Sequence, residues 1–249
     1  MPLTLSHAAA VMPIRQAAAR QGLPFLGLVL GSFSPDFAYY VGRFDIATAA
    51  HSTLGSLLIC VPICTLLASI LCRWHVQLAS PLPQPHRRAV QALRVPELNS
   101  VRGLFALAAA IFIGALTHVA WDSFTHASGE AVKALPVLRL ELGQIRGRTI
   151  YLYGVLQHLS SVAGLLAVVL GYRGWIRRKQ FPVGERERLR WALLWTSALA
   201  AMAFGVAFTF ARGGASFSAM FVQSIFAATA GFAIAYAALV IYWMHRDRF

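Results

Sequence analysis

The segment Thr117-His118-Val119-Ala120-Trp121-Asp122-Ser123-Phe124-Thr125-His126 places His118, Asp122 and His126 four residues apart in turn. On a helix that spacing projects all three side chains from one face. An imidazole and a carboxylate so placed can grip one divalent ion. The segment overlaps the end of a run from Gly103 to Trp121 that contains no Asp, Glu, Lys or Arg, and Asp122 follows that run directly. Such a run is long enough to cross a bilayer, and ionisable groups kept beside a span point to function by default. Further residues of the same kind are His7, Asp36 in Ser34-Pro35-Asp36, His51, and His158 with Gln157 beside it. Mixed His and Asp ligands suit zinc, with manganese or iron as alternatives, and carboxylate-bridged pairs suit two metals. The expected cofactor is therefore one or two divalent ions, zinc foremost, held by His7, Asp36, His51, His118, Asp122 and His158. His126 is the most peripheral of the set.

The elements that must position these residues follow from composition. Of the 249 residues 58% are hydrophobic and 12% charged, against about a quarter charged in a soluble domain. Five stretches, roughly 52–72, 103–122, 151–172, 191–211 and 216–244, are apolar for the thickness of a hydrocarbon core. No β-type alternation runs through them. The fold expected is all-α: a membrane helical bundle of about five spans, preceded by an N-terminal re-entrant or interfacial helical hairpin.

Charge bias orients the spans. The connection 73–102 carries Arg73, Arg87, Arg88, Arg94 and Arg102 against Glu97, and 173–190 carries seven basic residues against Glu185 and Glu187. Basic loops stay cytoplasmic, so these two connections and the C-terminus are expected inside a bacterial cytoplasmic membrane. His7, Asp36, His51, His118, Asp122, His126 and His158 then gather in one layer at the outer, periplasmic side. The net charge of +13 thus reads as loops beside a membrane, and no nucleic-acid reading module accompanies it.

Within the first fifty residues, Ser6 to Gln21 reads as helix with Pro13 kinking it or starting a new one. The apolar run from Leu23 to Phe33 is too short for a full span. Pro81, Pro83 and Pro85 predict an extended, mobile inner loop. Cys60, Cys64 and Cys72 share one apolar run and read as buried thiols. The divisions expected are a metal-site domain over 1–172, a basic linker over 173–190 and a two-helix hairpin over 191–249.

The order of a Ser6-His7 opening, Pro35-Asp36, His51, His118-x-x-x-Asp122, His126 and His158 resembles a family of uncharacterised bacterial multi-pass membrane proteins of the "domain of unknown function" type. More remotely it is similar to inner-membrane-bound metal-dependent hydrolases, and to the zinc-dependent phospholipase C and S1/P1-type nuclease fold. The last departs at a definite point: its pattern ends in His-x-x-x-Glu, and four residues after His158 stands Val162. Its N-terminal Trp ligand is absent as well, which favours one or two ions over three.

The resemblance implies a membrane-bound hydrolase in which His118 and Asp122 serve catalysis. Its expected substrate is an ester or phosphoester of an amphiphilic, lipid-like molecule, and its only other expected partner is the surrounding lipid. Arg139, Arg146 and Arg148, in the connection 123–150, would neutralise a phosphate there; contacts with the membrane surface explain them equally well. That connection, with Gly129, Gly143 and Gly147, would serve as a lid. The alternatives are a non-catalytic metal-binding or transport-related membrane protein, a haem protein ligated by His118 and His158, and a structural subunit.

Overall fold

Uncharged apolar runs become long helices because a helix satisfies its own backbone wherever water is scarce. The computed structural model describes residues 3–93, 95–96, 98–145, 147–180, 187–213 and 217–246, and it is predominantly helical. Its main helices are α1 (Phe25–Phe33), α2 (Thr53–Leu78), α3 (Val101–Thr125), α4 (Leu152–Lys179), α5 (Glu187–Arg212) and α6 (Phe217–Arg246). Five helices, all but α1, are long and apolar enough to cross a membrane. They fall on the five stretches read from the sequence.

The chain divides into two compact units, the first built from residues 1–37, 44–69 and 96–173. Its first residues form a 3-10 turn, Thr4–His7, and two short helices, Ala8–Val11 and Arg15–Arg20, separated at Pro13. Proline ends the first of these because it donates no backbone hydrogen bond. The centre of the unit is the packing of α1 on α3. Gly27 and Gly31 on one side, and Gly114 on the other, let the two backbones approach so closely that a Cβ at Gly31 would strike the Ile111 carbonyl. A Cβ at Gly114 would strike that of Leu28. Leu28, Leu107, Ala110 and Ile111 are fully buried around this contact. Small residues spaced by four are how helices associate where no water drives them together.

Caps set the ends of the site-bearing helices. Ser52 Oγ accepts the Gly55 amide at 3.0 Å to open α2, and Ser100 Oγ accepts that of Gly103 at 3.0 Å to open α3. A π-turn, Ser56–Cys60, lies in the first turns of α2. After α3 the described residues depart from an all-α fold. Glu141–Ile145 (β1) and Arg148–Tyr151 (β2) pair as an antiparallel hairpin, Gln144 opposite Thr149 and Ile145 opposite Arg148. Gly147 turns it at φ +77°, a conformation glycine adopts without penalty.

The second unit comprises residues 38–43, 70–95 and 174–249. Its α5 and α6 pack through small residues, Gly205 against Ser224 and Ala228, and Gly231 beside Ala201 and Phe204. The proline-rich segment expected to be mobile is instead tied down at three points. Tyr236 Oη donates to the Leu78 carbonyl at 2.7 Å, Arg190 donates to the Ser80 carbonyl, and the Gln84 amide donates to Glu187 Oε2 at 2.7 Å. Arg87 meets the other Glu187 oxygen at 3.2 Å, and the Arg190 guanidinium lies 3.6 Å over the Trp243 ring. Pro81 and Pro83 are fully buried as a result. Of the basic linker 173–190, residues 181–186 lie outside the described residues; α4 runs to Lys179 and α5 starts at Glu187, with Glu187 and Arg190 buried.

Candidate metal centre

The first unit gathers His7, Asp36, His51, His118 and Asp122 into one cluster. Each comes from a different local device. The 3-10 turn Thr4–His7 supplies His7, and the turn Ser34–Asp36 that ends α1 supplies Asp36. His51 stands just ahead of the Ser52 cap of α2, and the last two turns of α3 supply His118 and Asp122. His7, Asp36, His118 and Asp122 are 3%, 2%, 0% and 8% exposed, so every charge placed here must be answered within the cluster.

The backbone fixes the tautomer of the two central histidines. His118 Nδ1 lies 2.8 Å from the Ser32 carbonyl, and His51 Nδ1 lies 2.7 Å from the Ala47 carbonyl. A carbonyl only accepts, so both Nδ1 atoms carry hydrogen and each neutral ring presents a bare lone pair at Nε2. These two Nε2 atoms face one another at 3.3 Å. Two lone pairs at that distance repel unless a proton or a cation lies between them.

The carboxylates stand around the same point. Asp36 Oδ1 is 3.5 Å from His51 Nε2 and 3.7 Å from His118 Nε2. Asp122 Oδ2 is 3.6 Å from His51 Nε2 and 3.4 Å from His118 Nε2. Ligands about 2.0–2.2 Å from a tetrahedral zinc ion lie roughly 3.3–3.6 Å from one another. The His–His separation of 3.3 Å and the His–carboxylate separations of 3.4–3.7 Å lie within or just beyond that spacing.

Electrostatics point the same way. Burial pushes the His51 pKa down, but the neighbouring Asp122 and Asp36 carboxylates outweigh it and raise the pKa to about 10. The pair of carboxylates demands positive charge at that nitrogen. His7 behaves oppositely. Burial, then the adjacent His118, lowers its pKa to about 4, so it stays a neutral ring with a lone pair to offer.

His7 stacks on His118 with ring centroids 3.7 Å apart and planes 16° from parallel. Imidazole ligates in its own plane, so an ion bound by His118 lies off the plane of His7. His7 Nε2 is directed instead at Asp122 Oδ1, 3.5 Å away. Both atoms are buried and have no hydrogen-bond partner among the described residues. Asp122 thus turns one oxygen to His51 and His118 and the other to His7 and His126. The cluster holds two ligand groups, His7 with His118 and Asp122, and Asp36 with His51 and His118.

The remaining expected site residues join neither ligand group. His126 stands at the edge of the cluster, its Nδ1 3.6 Å from Asp122 Oδ1, but both its nitrogens are engaged, Nδ1 with the Asp122 carbonyl at 3.2 Å and Nε2 with the Gln157 amide at 3.2 Å. His158 is exposed on α4 and joins neither ligand group. A 28-residue helix turns successive side chains by about a quarter of a circle, so Gln157, not its neighbour, reaches His126. Arg139 and Arg148 are exposed, and Arg146 lies outside the described residues. Two contributors were missed in the sequence. Thr4 Oγ1 donates to Asp36 Oδ2 at 2.7 Å, and Gly27-x-x-x-Gly31 brings Ser32 and Asp36 to α3. The spacing of the glycines was a readable signal, whereas nothing local distinguishes Thr4.

Fold and site together define a multi-helix protein with five helices able to span a membrane and a buried His/Asp cluster. The chain belongs to the family described as Domain of unknown function (DUF4184), whose model matches residues 1–242. No curated protein and no solved structure matches the chain.

Proposed function

We propose that this is a membrane-bound, metal-dependent hydrolase acting on an ester or phosphoester of an amphiphilic substrate. A divalent ion, zinc foremost, is held by Asp36, His51, His118 and Asp122, and the gap between His7 Nε2 and Asp122 Oδ1 is the position for a second. The observation that carries this reading is the 3.3 Å approach of the His51 and His118 Nε2 atoms, each ring held at Nδ1 by a backbone carbonyl, between two carboxylates that call for positive charge at that point. Such an ion supplies a hydroxide near neutral pH and a positive charge for the developing oxyanion.

Access and surroundings support hydrolysis of a lipid-like molecule. Side-chain exposure rises to 21% at His51 and 11% at Asp122, so the cluster is approached from that edge. Leu54, Leu57, Trp121 and Phe124 near these residues in the chain are exposed and apolar, which suits a substrate with a hydrocarbon part. We read this edge as the periplasmic side of a bacterial inner membrane, with the C-terminus inside; the bias of basic residues toward two connections supports that reading. A transport path would continue polar groups along the span, yet α3 from Gly103 to Leu116 carries no ionisable residue.

The test is turnover by purified protein in detergent of a phosphodiester such as bis-p-nitrophenyl phosphate, and of short-chain phospholipid, before and after chelation. Metal-dependent hydrolysis abolished by Asp122→Ala supports the proposal. Bound metal with no turnover of either substrate would instead favour a non-catalytic metal-binding protein.

A further inference from the structure

The donor atoms of the cluster differ in how their far sides are held. His51 and His118 are each fixed through Nδ1 on a backbone carbonyl. Asp36 is fixed through Oδ2 on the Thr4 hydroxyl at 2.7 Å, both residues being buried. Asp122 has no hydrogen-bonded tether of this kind: its Oδ1 is buried without a hydrogen-bond partner among the described residues, with His7 Nε2 at 3.5 Å and His126 Nδ1 at 3.6 Å. The two carboxylates of the site are therefore not equivalent.

We propose that Thr4 is a positioning residue whose hydroxyl confines Asp36 to ligation through Oδ1 alone, leaving Asp122 as the carboxylate that changes its mode of binding as the site fills. The inference rests on the metal reading above and goes beyond it by dividing the roles of the two acids. A hydroxyl hydrogen bond occupies one oxygen of Asp36, so a two-oxygen grip on the ion requires breaking it inside a buried site, where a lost partner is costly. Asp122 faces no comparable barrier, and its oxygens already point to two different ligand groups. Partners that orient a ligand from behind are as much a part of such a centre as the ligands.

Cobalt(II) substitution of the whole protein in detergent tests this. The visible absorption of cobalt is strong at low coordination number and weakens as further oxygens bind. Thr4→Val, of nearly the same shape, is expected to bind cobalt roughly ten- to a hundred-fold more weakly and to show a weaker visible band. Thr4→Ser, which keeps the hydroxyl, is expected to restore both. If Thr4→Val is not recovered folded by gel filtration, Thr4→Ala is read by the same criteria. A Thr4→Val or Thr4→Ala protein with the parent's spectrum and affinity overturns the proposal, as does equal impairment in Thr4→Ser. Failure of the parent chain itself to bind cobalt refutes the metal reading instead, so the two failures are distinct.

Discussion

At the scale of residues, ligand quality depends on what stands behind each donor. His118 and His126 are both on the face that the His118-x-x-x-Asp122-x-x-x-His126 spacing defines. Only His118 has its Nε2 turned to the carboxylates; the corresponding atom of His126 is engaged by Gln157. We predict that His51→Ala lowers metal content to background, whereas His158→Ala leaves metal per chain unchanged, as read by elemental analysis of purified protein. Loss of metal on His158→Ala would place that residue in the centre after all. The i, i+4 pair was legible from sequence because helical geometry is local. The roles of His158 and Gln157 were not, because they depend on how α4 is rotated against α3, which no pattern within α4 records.

At the scale of elements, the centre depends on the close approach of α1 and α3. Gly31→Ala would push a methyl group into the Ile111 backbone, and a backbone cannot move aside as a side chain can. Overpacking of this kind costs about 1–3 kcal/mol, and it also carries Ser32 and Asp36 away from His118. We expect Gly31→Ala to lower thermal stability and metal content together. Gly154→Ala, where a methyl group meets nothing within 4 Å, is expected to change neither; equal effects of the two would remove α1–α3 packing from the account.

In the second unit, Glu187→Gln leaves the Gln84 amide a partner but weakens the one facing Arg87. With Arg87 still 18% exposed in its side chain, the cost is about 1–2 kcal/mol after allowance for screening. It is measurable as earlier thermal unfolding, and an unchanged melting profile would contradict it. Helix positions were readable because twenty apolar residues in a row have few alternatives. The buried proline segment was not, since prolines give the same local signal whether a loop is solvated or clamped by distant Arg190 and Tyr236.

At the scale of the whole molecule, the account requires that the cluster face away from the basic loops. The five apolar helices were visible in the sequence, but their direction rests on charge bias alone. In a chain with its native cysteines replaced, Ser128→Cys is expected to react with an impermeant maleimide in intact cells, and Gln180→Cys only after permeabilisation. The reverse pattern would invert the topology and put the site in the cytoplasm.

The central claim, that Asp36, His51, His118 and Asp122 hold a divalent ion, is tested most directly by elemental analysis of the purified chain beside the His118→Ala, Asp122→Ala double variant. The account predicts stoichiometric zinc, manganese or iron in the parent and none in the variant. A folded parent that carries no metal after incubation with these ions would contradict it.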